Sequence, residues 1–442
     1  METDLAEIQS AVDQYFGEHL HQFDPFDWKN PETTKIRRKA LSELGLYLYV
    51  VERYGGSAPD VREHVAEQVS DPQYPKLLRR HPGKFSELAF PAIAMRETGD
   101  LPTEVTRAIE DTLRRPHMWG RERRPFELVV LLSQCRLWGC DRRGPDLSSA
   151  LETANLANPP DVVAAGQNEF YALAHNVMFP TFFGTGHPDL LEPPLPYDLE
   201  RAVTGGLLRY MADGNADAVV ELLITGVLQR QLPERLLQYA VRWLCEEKTT
   251  DEYVASPTGS DSEGSDSDAS ETSRSEILRG FSRTTDSDDE WSVTSRTWSK
   301  HYHTNVVAGI LVSVLEGTDE FSTRRDRSVS LSSDEFRNAL KLGDALNEFE
   351  SYDLAGAAET LTEIPPETFA RFPGVSRRVV TFLENQRSGD SFGYWVDERR
   401  LYERNAGDDA DFEAELVVPL TEQCHTALEH VSSELSETTS NR

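Results

Sequence analysis

The sequence predicts an all-α protein, on three observations. Apolar residues recur at three- and four-residue spacing in one segment after another, proline and glycine punctuate those segments, and short alternating β-branched runs are almost absent from residues 1–250. The chain opens with METDLAEIQSAVDQYF, which is acidic and amphipathic. In PETTKIRRKALSELGLYLYVVERYGG, Pro31 sits near a helix start, Leu41, Leu44, Leu48 and Val51 form one buried face, and Gly55-Gly56 closes the helix.

The same grammar runs through KFSELAFPAIAMRETGD, LPTEVTRAIEDTLRR, PFELVVLLSQCRLWGC, LERAVTGGLLRYMADGNADAVVELLITGVLQRQ and PERLLQYAVRWLCEE. Residues 251–299 then change abruptly to a tract dominated by Ser, Thr, Asp and Glu, which cannot bury enough apolar surface to offset chain entropy; it is expected to be a disordered insertion. Helical patterns resume in HYHTNVVAGILVSVLEGTDEF and in SSDEFRNALKLGDALNEFESYDLAGAAETLTEI. They continue through PPETFARFPGVSRRVVTFLENQRSGDSFGYWVDERRLYER to PLTEQCHTALEHVSSEL.

The organisation is therefore a helical domain in two parts, 1–250 and 300–430, interrupted by 251–299 and followed by a frayed tail at 431–442. Roughly a dozen helices in alternating apolar and amphipathic pairs suit an α/α-toroid, whose inner helices are buried on all sides. The alternative is an α-solenoid of stacked pairs, although no fixed repeat period is visible.

The formal charge of -31 comes from 76 acidic against 45 basic residues, only eight of them lysine. High acidity with lysine depletion suits concentrated salt, which screens the self-repulsion of such a charge, and predicts a salt-in halophilic archaeon. The acidity is then a solvent adaptation and says nothing of a basic ligand. No basic stripe stands out beyond LRRPHMWGRERRP at 113–125, so no nucleic-acid partner is expected, and those arginines are expected to pair with local carboxylates. Cys135, Cys140, Cys245 and Cys424 are scattered and read as buried free thiols. With neither a signal peptide nor an apolar run of membrane-spanning length, the expected location is cytoplasmic and no membrane partner is expected.

Two phrases carry a family resemblance. FLENQRSGDSFGYW, Phe382 to Trp395, resembles the Q-x-x-x-G-x-[FW]-G-x-W phrase of α/α-toroid proteins such as terpenoid cyclases, through Gln386, Gly389, Phe392, Gly393 and Trp395, with the usual Asp-Gly order inverted at Gly389-Asp390. YALAHNVMFPTFFGTGHPDLLEPP and HYHTNVVAGILVS resemble the His-bearing helices of an uncharacterised all-helical family of haloarchaea and actinomycetes. The residues concerned are Tyr171, Ala172, Leu173 and His175, then Phe182, Phe183 and Gly184, with Ala174 where that family carries a hydroxyl residue. This resemblance implies a setting near peptide or natural-product biosynthesis and no defined activity.

The candidate chemistry is carried by His175, His301 and His303, which stand at or near the starts of apolar helices. Converging at one end of a barrel, they would serve as acid-base or metal-binding groups. The bland reading makes them caps or satisfied core histidines, and places His187 in a surface loop. Zinc at Cys424-His425 is weakened by Thr426, which stands where toroid enzymes that activate thiols carry glycine, and the acidic run 407–415 reads as solvated surface. A G-x-S-x-G elbow, a P-loop, a G-x-G-x-x-G turn and an H-E-x-x-H helix are all absent. The resulting expectation is a binding or accessory protein, without cofactor or metal, for a peptide, protein or small-molecule ligand. Its aromatic cavity would be lined by Tyr171, His175, Phe179, Phe182, Phe183, Tyr302 and Trp395. The alternatives are a toroid enzyme using the histidines and a solenoid interaction scaffold.

Overall fold

The computed structural model describes residues 1–26, 31–140, 145–186, 197–230, 232–256, 293–318, 332–385 and 418–440. Within them the chain is all-α, and the only extended pairing is one bridge between Thr249 and Val254. The helices are α1 (Glu2–His19), α2 (Pro31–Arg53), α3 (Pro59–Ser70), α4 (Tyr74–Arg80), α5 (Phe90–Glu97), α6 (Thr103–Leu113) and α7 (Pro116–Trp119). Then come α8 (Pro125–Trp138), α9 (Leu147–Glu152), α10 (Gln167–Met178), α11 (Tyr197–Ala212), α12 (Ala216–Leu228), α13 (Glu234–Trp243) and α14 (Val293–Gly317). The chain finishes with α15 (Ser333–Glu350), α16 (Leu354–Glu363), α17 (Pro366–Arg371), α18 (Pro373–Asn385) and α19 (Val418–Ser440).

Local chemistry sets most boundaries. Pro125 begins α8, where a backbone N–H would be unsatisfied anyway, and Gly139 ends it in the left-handed region at φ 68°. Gly55 has φ 83° after α2, and the amide of Gly56 returns to the Val51 carbonyl. The Asn215 side chain accepts from the amide of Ala218 at the start of α12, and Ser332 with Glu335 forms a capping box on α15. The last helix extends to Ser440 and so includes most of residues 431–442. Of the acidic insertion, 293–299 belong to α14, while 257–292 lie outside the described residues, as do His187, the phrase from Gln386 to Trp395 and the run 407–415.

Two kinds of helix appear. α12 is buried on nearly every face, from Val219 through Val227, and α14 likewise from Val306 through Leu315. α6 buries only Val105, Ala108, Ile109, Thr112 and Leu113, a single stripe. The enclosed helices adjoin one another in a series that returns to its start: α2 packs on α14, α14 on α12, α12 on α10, α10 on α8, α8 on α5 and α5 on α2. Around them α1 packs on α14, α3 on α2 and α5, and α11 on α12. α15 packs on α11, and the buried Arg209 of α11 bridges that contact, its Nε donating to Asn347 at 2.9 Å and its Nη2 pairing with Glu350 at 2.8 Å.

The α2–α5 contact depends on glycine. A Cβ on Gly45 would lie 2.5 Å from the backbone nitrogen of Pro91, where no rotamer change relieves the clash. Gly45→Ala should therefore destabilise the fold by about 2 kcal/mol despite alanine's better helix propensity. A urea titration checks this, and an unchanged midpoint would show that α5 shifts freely.

Candidate functional site

The side chains facing the interior of the helix series are polar where a bundle would ordinarily be apolar. α2 supplies Lys39 and Glu43, one turn apart, with Nζ 3.3 Å from Oε1. α14 supplies His303, whose Nδ1 lies 3.1 Å from Glu43 Oε2 and whose Nε2 lies 3.4 Å from Glu221 Oε1. Glu221 and Asp217 are one turn apart on α12, and Asp217 Oδ1 accepts from the hydroxyl of Thr304. α10 supplies His175, whose Nδ1 is 2.9 Å from its own helix carbonyl at Tyr171 and 3.9 Å from Glu221 Oε2. The Tyr302 hydroxyl also bonds Glu43.

Aromatic rings wall this centre. Tyr171, His175, Phe179 and Phe183 follow one another every four residues along α10 and its exit, with successive ring centroids 3.9, 5.2 and 5.5 Å apart. Phe126 of α8 meets both Tyr171 and His175 edge-on, and Phe90 of α5 meets Phe179. Phe182 and Phe183 are buried, and both hold positive φ, 50° and 56°. The Phe183 carbonyl accepts from the Tyr54 hydroxyl at 2.6 Å, which helps to hold that turn. Tyr302 is buried against Trp298 and Phe23.

The three histidines separate. His175 and His303 approach the two oxygens of one carboxylate, that of Glu221. His301 turns away, because residues two apart on a helix point about 200° from each other. Its Nδ1 accepts from the amide of Ser256 at 2.9 Å and its ring stacks on Tyr253, while Asn305, one turn on, grips both backbone groups of Val254. His301 thus fastens the segment after α13, and burial lowers its pKa to about 4. The expected placement at helix starts is corrected: His175 lies in the last turn of α10, and His301 and His303 lie inside α14, which begins at Val293. The arginine cluster is corrected in part. Arg114 pairs with Glu110, but Arg115 and Arg121 donate to the carbonyls of Arg79, in the last turn of α4, and Gly83 just after it, and Arg123 donates to the carbonyl of Met118 in its own loop.

A profile for a domain of unknown function, DUF6895, matches residues 12–313. The chain belongs to this family. The DUF6895 region begins within α1 and ends within α14, so it holds every side chain of the polar centre, while α15 to α19 lie beyond it. No curated protein and no solved structure matches the chain significantly.

The electrostatics of the DUF6895 centre follow from burial against pairing. Burial opposes the charge on His303, but Glu43, Glu221 and Asp217 outweigh it and hold the imidazolium well above the ordinary histidine range. Burial also opposes the charge on Glu43, and there Lys39 and His303 prevail, lowering its pKa to about 2. Glu43 in turn is the main cause that holds Lys39 well above its ordinary value. Asp217 and His175 show the other outcome. Burial raises Asp217 more than His303 and Thr304 lower it, and burial depresses His175 more than Glu221 raises it. The centre thus joins two cations to carboxylates, beside a neutral imidazole and a carboxyl biased toward its neutral form.

Lys39 keeps 43% of its side chain accessible although protein atoms surround its ammonium. Sealed polar atoms without a partner occur elsewhere among the described residues, at Asn176 and Trp298 for example, but none belongs to Lys39, Tyr171, His175, Asp217, Glu221 or His303. The unbonded Tyr171 hydroxyl, His175 Nε2, Asp217 Oδ2 and Glu221 Oε2 are therefore not sealed off. Among the described residues no group of three His, Cys, Asp or Glu is placed to hold a metal ion, and no helix is long and apolar enough to cross a membrane. A separate cleft of about 400 Å³ lies between α11, α15 and α16, lined by Asp213, Asp344, Glu348, Glu363 and a Lys341 already paired with Glu363.

Sequence reasoning found His175, His303, Tyr171 and Tyr302 but missed Lys39, Glu43, Asp217 and Glu221. The signal was present: Asp217 and Glu221 sit one turn apart in ADAVVELLITGVL, an otherwise apolar helix where a carboxylate has no solvation role.

Proposed function

We propose that the chain is a helical binding protein whose inner helices form an α/α-toroid-like ring around a recess for a small polar ligand. The closed neighbour series α2, α14, α12, α10, α8, α5 supports a ring over an open stack. The observation that carries the reading is the Lys39–Glu43–His303–Glu221 chain inside that ring. Desolvating such a chain costs several kcal/mol per ion, and well-packed apolar side chains would hold the helices at least as well. Its presence is explained by what it contacts when the recess is filled.

The test replaces the chain as a unit. The variant Lys39→Met, Glu43→Leu, Glu221→Leu, His303→Leu should keep its unfolding free energy within about 1 kcal/mol of the parent in urea titrations, because both cations go together with their carboxylates and Asp217, already biased toward its neutral form, takes up a proton. A loss above about 3 kcal/mol would show that the centre exists to hold the fold and would remove this reading.

A second reading, an acid-base enzyme on the same scaffold, rests on His175. Its Nδ1 faces the Tyr171 carbonyl, and burial favours the neutral imidazole, so its Nε2 retains a lone pair.

A further inference from the structure

The spare bonding capacity of the centre is divided by sign, and this defines its ligand. Glu43 is fully used, Oε1 by Lys39 and Oε2 by His303. Both nitrogens of His303 face carboxylates, so it offers nothing further. Lys39 directs one of its three N–H groups at Glu43 and has two over. Glu221 gives Oε1 to His303, while its Oε2 stands 3.9 Å from His175, beyond hydrogen-bond reach. Asp217 gives only Oδ1 to Thr304. What remains is an ammonium on α2 and carboxyl oxygens on α12, which act on each other electrostatically across the interior.

We propose that the recess takes a zwitterion of the α-amino-acid type, its carboxylate on Lys39, its ammonium on Glu221 and Asp217, and its side chain along the Tyr171, Phe126 and Phe179 wall. This rests on the reading that the centre is a ligand recess. A simple anion placed there meets Glu221 and Asp217, and a simple cation meets Lys39 and His303. A neutral ligand desolvates the two spare N–H groups of Lys39 and the spare Oε2 of Glu221 without giving either a charged partner beyond Glu43 and His303, which is the costlier arrangement. Only a molecule bearing both charges satisfies both walls. An aromatic side chain is the one these rings would stack, in offset or edge-on geometry.

Isothermal titration of the full chain with three probes of one skeleton tests this: L-phenylalanine, 3-phenylpropionate lacking the ammonium, and phenethylamine lacking the carboxylate. L-phenylalanine should bind at least tenfold more tightly than either. In Lys39→Met its affinity should fall to that of phenethylamine, and in Glu221→Gln toward that of phenylpropionate. Equal or tighter binding of a singly charged probe overturns the zwitterion while leaving the recess intact. Absence of binding by all three overturns the zwitterion, and with a fold-destabilising fourfold charge replacement the recess reading falls as well. Circular dichroism of each single variant separates lost binding from lost folding. A variant that folds yet keeps the tenfold preference also counts against the assignment.

Discussion

Glu43→Leu is expected to destabilise the protein by about 3 kcal/mol at pH 6, the largest loss from any single substitution in the polar centre. The leucine has nearly the same reach, so packing changes little. What changes is that Lys39 and His303 both lose the carboxylate lying 3.3 and 3.1 Å from them. Lys39 is partly accessible and suffers less, but His303 is more enclosed and is left with Glu221 in place of two carboxylates, so it must lose its proton or bear a charge only partly compensated. Adding His303→Leu to Glu43→Leu should therefore return part of the loss, the remainder coming from Glu221, which then lacks its cation. The double-mutant cycle would show a coupling of about 2 kcal/mol. Urea titrations of the four proteins measure it. A single-variant loss below about 1 kcal/mol would mean that Glu43 exchanges its partners for water at no cost, and that the ring is more open than its packing indicates.

The second expectation concerns pH. A histidine whose folded pKa lies above its unfolded value of about 6.5 stabilises the fold fully below that value, and the contribution is lost as pH rises through the folded value. His303 is of this kind. A carboxyl whose folded pKa lies below its unfolded value stabilises above the unfolded value and is lost as pH falls through the folded one. Glu43, moved from 4.5 to about 2, is of this kind. Both contributions are complete only between about pH 4.5 and pH 6.5.

His175 and Asp217 add opposite slopes, so the informative quantity is the difference between the parent and Glu43→Gln. That difference should form a plateau of about 3 kcal/mol across the window, from a shift of roughly two and a half units at about 1.4 kcal/mol each. It should fall on the acid side toward pH 2, and on the alkaline side once His303 releases its proton. Unfolding free energies at half-unit pH steps check this. A difference that is flat from pH 3 to pH 9 would mean that Glu43 and His303 do not exchange charge with each other.

The fold was largely legible in the sequence because helix boundaries are local chemistry. Pro125 and Gly139 bound α8, Gly55-Gly56 closes α2, and Asn215 caps α12, each acting through backbone groups within a few residues. The site was legible in part. The aromatic stripe Tyr171, His175, Phe179, Phe183 repeats every four residues and marks one helix face as it stands. Glu221 was not legible in the same way, because 76 acidic residues make any one carboxylate look like solvation, and only its apolar neighbours on α12 distinguished it.

The sequence by itself determined that this is an all-α chain and that Tyr171, His175, Phe179 and Phe183 recur at four-residue spacing; whether that face, and the apolar helices α12 and α14, lie inside was settled by packing. Tertiary structure alone decided which histidines meet. His301 and His303 are two residues apart and look equivalent in HYHTN, yet the helix sends one to the Ser256 amide and the other between Glu43 and Glu221. Those two carboxylates come from helices separated by more than 150 positions along the chain. Charge pairing falls off with distance in space, which the spacing along a sequence does not encode.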